Sequence, residues 1–236
     1  LSSYEKMFAQ DTVNLAYKIL EDFEEEEEIT LVSLARAGTP IGVLLRRFLS
    51  IISQKTISHY CVSIIRDVGL DLNAINYIVQ KHKDTSLVFI DGWTGKGVIG
   101  NQLKESIKTY NIEKNTSISG NLYVVLDISG TAYYGASHED YLIPSAIFNS
   151  TISGLISRTI YNKDYLQSTD FHGYVFYDYL KEEDISIWFI EHILNIMIHM
   201  KKTNKKDYEN LTHISYNTIE YFKNLLQLNN INYIKP

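Results

Sequence analysis

The chain has 236 residues, 45% hydrophobic and 21% charged, which is the make-up of a folded globular protein and argues against a disordered one. With 28 acidic against 22 basic residues the net charge is −6, which disfavours a surface that coats nucleic acid but leaves room for a local basic pocket that takes a small phosphorylated ligand. The single cysteine, Cys61, rules out an intrachain disulfide framework and fits a reducing, cytoplasmic setting, and no apolar run reaches the roughly 20 residues that cross a bilayer.

The start, Leu1 to Tyr4, lacks an initiating Met and a basic, apolar leader, so the chain reads as a fragment or processed form without an export signal. Tyr4, Met7, Phe8, Leu15, Ile19 and Phe23 recur near a 3.6-residue period and predict an amphipathic helix over 4–23. Glu24 to Glu28 oppose the dipole at its C-terminal end, so a frayed, solvated connection is expected there rather than a metal site. Ile29 to Leu34 reads as a buried strand, followed by a glycine turn and a helix from Pro40 to Ser53. Ile57 to Ile65 is β-rich and Leu72 to His82 helical. Ser86 to Ile90 is a second apolar strand that ends at Asp91, followed by a glycine-rich turn and a helix to about Tyr110. Leu122 to Leu126 is a third strand, ending at Asp127; a polar loop and a helix containing Ile147 to Ile156 come next. A further strand is read at Tyr174 to Tyr177, and Trp188 to Leu228 is mostly helical. Short apolar strands alternating with helices predict an α/β fold, a doubly wound and mainly parallel sheet with helical additions at both ends. The expected division is an N-terminal helix and acidic linker over 1–28, an α/β core over 29–180 and a helical extension over 181–236.

In such sheets ligands bind beyond the carboxyl ends of the strands. After the first strand, Ala35-Arg36-Ala37-Gly38 combines small residues, which let a ligand approach the backbone, with one forked phosphate donor; a tight turn with a solvated Arg is the alternative. After the second, Asp91-Gly92-Trp93-Thr94-Gly95-Lys96-Gly97 joins a strand-end acid to a Gly/Thr loop that opens a helix, with Thr94 free to cap it. The spacing is neither Walker A nor Gly-x-Gly-x-x-Gly. Arg66-Asp67 suits a lid or a solvent loop, and Asp71 a helix cap. Asp127 is a second strand-end acid. His138-Glu139-Asp140 is the densest titratable cluster, with Glu139 the candidate catalytic group and His138 and Asp140 candidate acceptor contacts, and His172 is placed near the same mouth. Cys61, between β-rich neighbours, is expected to be a small buried hydrophobe. His192 and His199 match no zinc-ligand spacing and read as structural.

The segments Leu34–Gly38 and Ile90–Lys96 resemble, in this order, the pyrophosphate loop and the phosphoribosyl loop of type I phosphoribosyltransferases, with Gly92 where that pattern has a second acid and Trp93 directly before Thr94. A closer resemblance covers nearly the whole chain. Val32–Pro40, Asp91–Gly97, His138–Ala146, Asn149–Gly154 and Asp170–Gly173 are similar to the bacterial family of tellurium-resistance and stress gene clusters, described as phosphoribosyltransferase-like and also labelled cysteine protease StiP. The resemblance implies a transferase that uses phosphoribosyl pyrophosphate and Mg²⁺. Thr94, Gly95, Lys96 and Gly97 would hold the 5-phosphate, Asp91 the ribose or the metal, and Arg36 with Ala35, Ala37 and Gly38 the departing pyrophosphate. Asp91, Asp127 and Glu139 are the candidate catalytic acids. It also implies a small sugar-phosphate or nucleotide partner, with no membrane and no nucleic acid bound by this chain, while longer members of the family continue into a Pelota-type RNA-binding domain. A homo-oligomer is compatible with this reading. The competing readings are a sensor that binds without turnover and a thiol protease.

Overall fold

The computed structural model describes residues 2–141, 149–152, 161–162 and 164–201. Its centre is a six-stranded sheet in the order β3-β2-β1-β4-β5-β6, with β1 Glu28–Ala35, β2 Thr56–Ile65, β3 Gly69–Leu70, β4 Leu87–Thr94, β5 Leu122–Asp127 and β6 Tyr134–Ser137. All neighbours are parallel except the short β3, which runs antiparallel to the end of β2. The helices are α1 Ser2–Asp22, α2 Gly38–Ile52, α3 Leu72–Val79, α4 Val98–Lys114 and α5 Ser186–Lys201. The fold is therefore α/β and mainly parallel, as expected.

Burial on both faces explains the unbroken apolar runs in β1, β4 and β5. Alternate side chains of one strand feed two cores. Val88 and Ile90 of β4 pack with α1, α2 and α5, whereas Leu87 and Phe89 pack with α3 and α4. In α1 the buried stripe is Phe8, Thr12, Leu15 and Ile19, while Tyr4 and Met7, expected on that stripe, are exposed. Glu24 to Glu27 form the expected turn, and Lys55 Nζ donates to the carbonyls of Glu24 and Glu26. Glu28 already belongs to β1 and accepts the backbone N–H of Lys83. His192 of α5 hydrogen-bonds Glu5 of α1 at 2.9 Å, which matches its structural reading.

Four expectations need correction. The strand read at Tyr174 to Tyr177 does not form: these residues carry no strand pairing among the described residues, and Tyr174, Val175 and Phe176 are exposed. The third helix stops at Val79, not His82. Residues 149–152 form a turn rather than part of a helix, and the rest of the helix read over 147–156 lies outside the described residues, as does the stretch after Lys201. Finally, β4 continues past Asp91 to Thr94, because Trp93 and Thr94 pair with Leu126 and Asp127 of β5.

Candidate site at the carboxyl ends of the strands

From β1 the chain moves outward to β2 and then returns to β4 on the other side of β1, so the winding reverses between β1 and β4. That reversal opens a crevice at the strand ends, the usual ligand position in doubly wound sheets. Two glycines define it here. A Cβ on Gly38 would stand 2.5 Å from the Ile90 carbonyl oxygen and 3.1 Å from Asp91 Cα, and one on Gly92 would stand 3.3 Å from the Ala37 carbonyl. The turn after β1 thus lies backbone to backbone against Ile90–Gly92. Ala37 and Gly38 are brought together with Asp91 and Gly92, whereas Ala35 and Arg36, joined by a cis peptide, line the cavity beside them, and Arg36 Nη1 donates to the Ile152 carbonyl at 3.5 Å.

Because β4 runs on, Trp93 is exposed and Thr94 is buried at a strand position. Helix α4 starts only at Val98, capped by the backbone of Gly97 at φ +73, so Thr94 is not its cap. The loop 95–97 leans on the turn after β5: Ile128 N donates to Thr94 O, the Ser129 hydroxyl to Gly95 O, and Thr131 fills the space beside Gly97. Lys96 is exposed. Asp91 is half-buried, its Oδ1 accepting the N–H of Gly92 at 2.7 Å, and burial pushes its carboxyl up to about 7.

The other candidates lie elsewhere. Both oxygens of the buried Asp127 are engaged by Thr131 N (3.0 Å) and Ala132 N (2.9 Å), which fixes the turn into β6. His138 donates Nδ1–H to the Asp127 carbonyl at 2.5 Å, while Glu139 and Asp140 are exposed. Arg66 and Asp67 form a solvent-exposed pair 3.8 Å apart after β2.

Beside the crevice, past Arg36, a cavity of about 630 Å³ opens along β2. It overturns the expectation for Cys61, which is exposed and lines this cavity. The reason is tertiary: among the described residues β2 is flanked beyond β1 by the two residues of β3, which pair with Ile64 and Ile65, and α2 begins beside Cys61, so Cys61 is covered by neither. Thr39 Oγ1 lies 2.9 Å from Cys61 Sγ, and burial in the surrounding protein, with Asp91 adding to it, pushes the thiol up rather than down. His59, two residues earlier on the same strand face, sits under α2 where Gly42 leaves room for its ring and hydrogen-bonds the buried Ser33 at 2.7 Å. Burial and Arg46 push His59 down to about 4, so the ring is neutral. His172 also reaches the cavity, its Nδ1 3.0 Å from Ser63 Oγ and its backbone N donating to Asp71. Asp71 caps α3 through Ala74 N, as expected. Sequence reasoning did not single out Ser33, Thr39 or Ser63. The two-residue spacing of His59, Cys61 and Ser63 was the available signal.

Among the described residues no three His, Cys, Asp or Glu side chains converge on a metal position. Among the described residues Asp91 offers a carboxylate there, a donor that would fit a Mg²⁺ whose other ligands were ligand phosphates and water.

A family model described as tellurite-like stress resistance cysteine protease StiP matches residues 1–194. The cysteine protease StiP of Acinetobacter baylyi is 40% identical over 205 residues, covering 82% of this chain and 51% of that protein, so the chain spans about half the length of this curated relative. Among solved structures, the hypoxanthine phosphoribosyltransferase of Trypanosoma cruzi is 13% identical with a TM-score of 0.43, covering 56% of this chain and 77% of that one. A hypoxanthine-guanine phosphoribosyltransferase of Bacillus anthracis is 14% identical with a TM-score of 0.37 over the same shares. With a family model matched over residues 1–194 and a relative 40% identical over 82% of its length, the chain belongs to the StiP family.

Proposed function

We propose that the crevice between β1 and β4 binds phosphoribosyl pyrophosphate and that the chain is a phosphoribosyltransferase-like enzyme. The observation that carries this is the backbone contact of Gly38 and Gly92 with the opposite turn at the point where the sheet reverses, which sets Asp91 against the turn that carries Arg36. Arg36 would hold the pyrophosphate by forked hydrogen bonds. The loop Gly95-Lys96-Gly97 would hold the 5-phosphate through backbone N–H groups and the Lys96 charge. Asp91 would orient the ribose hydroxyls, or one Mg²⁺ shared with the ligand phosphates, whose charge the metal would neutralise. In transfer, a nucleophilic atom of the acceptor bonds to the anomeric carbon while the carbon–oxygen bond to pyrophosphate breaks and its electron pair leaves with pyrophosphate. The acceptor's proton would pass to a base, and burial raises the Asp91 carboxyl, which suits it to that task where it holds the ribose hydroxyls rather than a metal, since a bound Mg²⁺ would lower it again.

The test is calorimetry of the full chain with phosphoribosyl pyrophosphate and Mg²⁺. Saturable binding is expected, weakened at least tenfold by Arg36→Gln and by Asp91→Asn. No heat from the folded wild type removes the reading. Binding without pyrophosphate release in the presence of candidate acceptors would make the chain a sensor. A second reading, thiol hydrolysis, is favoured by the exposure of Cys61 on a cavity. It predicts that Cys61→Ala abolishes any peptidase activity, whereas the transferase reading predicts no loss of transfer.

A further inference from the structure

We infer that the cavity along β2, which adjoins the anion crevice at Ala35 and Arg36, is a binding site for an uncharged ring compound. Its volume, about 630 Å³, falls within the range of roughly 300–1,000 Å³ typical of small-molecule sites. Its wall carries little usable charge. Both oxygens of Asp71 are taken, by Ala74 N at 3.0 Å and His172 N at 2.7 Å. Burial holds the His172 imidazole below its ordinary range, against the pull of Asp71, so it is neutral at pH 7. Arg36, which donates Nη1–H to the Ile152 carbonyl at 3.5 Å, is the cation of the described lining. Away from Arg36 a charged ligand would therefore lose hydration without gaining a partner.

The wall also selects for rings. Tyr60, Tyr77 and Phe171 stand edge to face in a row, with centroids 6.5 Å and 6.1 Å apart, and Tyr77 and Phe171 remain 43% and 53% exposed. Lys81 Nζ covers one face of Tyr77, 4.1 Å from the ring centroid, and a planar guest adds the next member of the row on the ring surface left exposed. The hydrogen-bonded pair Ser63–His172 offers a polar edge, and Thr39, Asn149 and Ser186 add polar groups to the lining, so the fitting ligand is a neutral aromatic compound with hydrogen-bonding groups at its rim. Assigning that ring as the acceptor of the ribosyl group rests on the proposed function; its binding does not.

The probe is N-phenyl-1-naphthylamine, a neutral aromatic fluorophore, added to the full chain. Cys61, the single cysteine and part of the cavity wall, reports the location by its alkylation with iodoacetamide, read by mass spectrometry. The expected results are a saturable one-site rise in fluorescence and at least tenfold slower alkylation at saturation. Ala74→Phe, which fills the cavity from α3, should weaken the probe at least tenfold at unchanged circular dichroism. Tyr77→Ala, at a half-exposed position, should weaken it at least fivefold and serves if Ala74→Phe does not fold. Non-saturating fluorescence, alkylation at the free rate, or variants that bind as the wild type does would overturn the inference. Probe binding that survives while phosphoribosyl pyrophosphate gives no heat would condemn the crevice reading and leave the cavity site standing.

Discussion

Gly38→Ala tests the contact on which the crevice depends. The added Cβ would stand 2.5 Å from the Ile90 carbonyl oxygen and 3.1 Å from Asp91 Cα, backbone atoms of a strand held by β1 on one side and β5 on the other. Nonbonded heavy atoms settle about 3.5 Å apart or more, so the start of α2 or the end of β4 must shift by about 1 Å. Overpacking of this kind costs about 1–3 kcal/mol, of which less than about 1 kcal/mol returns through the lower entropy of the unfolded alanine chain. A net loss of about 1–2 kcal/mol lowers the Tm by about 2–8 °C in a protein of this size. The assay is urea unfolding followed by circular dichroism, with Gly100→Ala as the matched control. In α4 a Cβ on Gly100 meets only Leu122 Cδ2 at 3.6 Å, an ordinary contact, and alanine should gain about 0.5–1 kcal/mol there. If Gly38→Ala proves as stable as the wild type while the control behaves as stated, the two turns do not touch and the crevice reading is refuted.

Three further predictions follow from the same geometry. Gly42→Ala places a Cβ 2.2 Å from His59 Nε2 and should cost about 1–3 kcal/mol alone, but less than about 1 kcal/mol in a His59→Ala background; equal costs in the two backgrounds would mean the ring is not held under α2. Burial pushes Asp11, hydrogen-bonded to Tyr141, and Asp91 each up to about 7, so the folded state keeps protons that the unfolded state releases near 4. Their contribution is complete below about pH 4 and is lost as pH rises through 7, at up to about 1.4 kcal/mol per unit for each group, so urea midpoints should fall from pH 5 to pH 8 and fall less in Asp11→Asn and Asp91→Asn. A thiol reagent should titrate one Cys61 per chain without denaturant, at a rate still climbing beyond pH 9; a silent native thiol would return Cys61 to the core.

The central strands were legible because burial on both faces leaves a mark that needs no knowledge of neighbours. Leu87–Ile90 and Leu122–Leu126 are apolar at every position. The edges were not legible. All four residues of β6 are only half-buried, and β3 has two residues, so neither carries a run or an alternation to find. Asp91 and Gly92 looked like a strand end because both types are depleted in strands, yet pairing to β5 holds the extended backbone to Thr94. Cys61 failed for the opposite reason. Its neighbours on β2 read as core, but its exposure depends on where α2 begins and on which strand stands at the edge. The two candidate turns at the switch point were found from residue type alone, because small residues, an Arg and an acid after apolar strands mark close approach wherever the sheet places them. What residue type did not carry was the distance between them, which Gly38 and Gly92 set.

The thiol and sugar-phosphate chemistries make unequal demands on this arrangement. A nucleophilic cysteine works as its thiolate, commonly stabilised by a protonated histidine or a helix N-terminus. Cys61 instead meets the hydroxyls of Thr39 and Ser33, burial and Asp91 both favour its neutral form, and His59 is neutral and committed to Ser33. Acylation at Cys61 with His59 as its base would therefore require the Ser33–His59 bond to break and a buried imidazole to accept a proton against its surroundings. Binding of an anion at the crevice requires neither, since Arg36 is charged at every working pH and the glycines already hold the turns together. A negative charge near Cys61 enters both accounts with opposite sign: ionised Asp91 opposes the thiolate but favours a cation shared with phosphate. Asp91→Asn separates them, because it should speed Cys61 alkylation near pH 8 while weakening phosphoribosyl pyrophosphate with Mg²⁺. A variant that slows alkylation, or leaves phosphate affinity untouched, would shift the balance to the thiol.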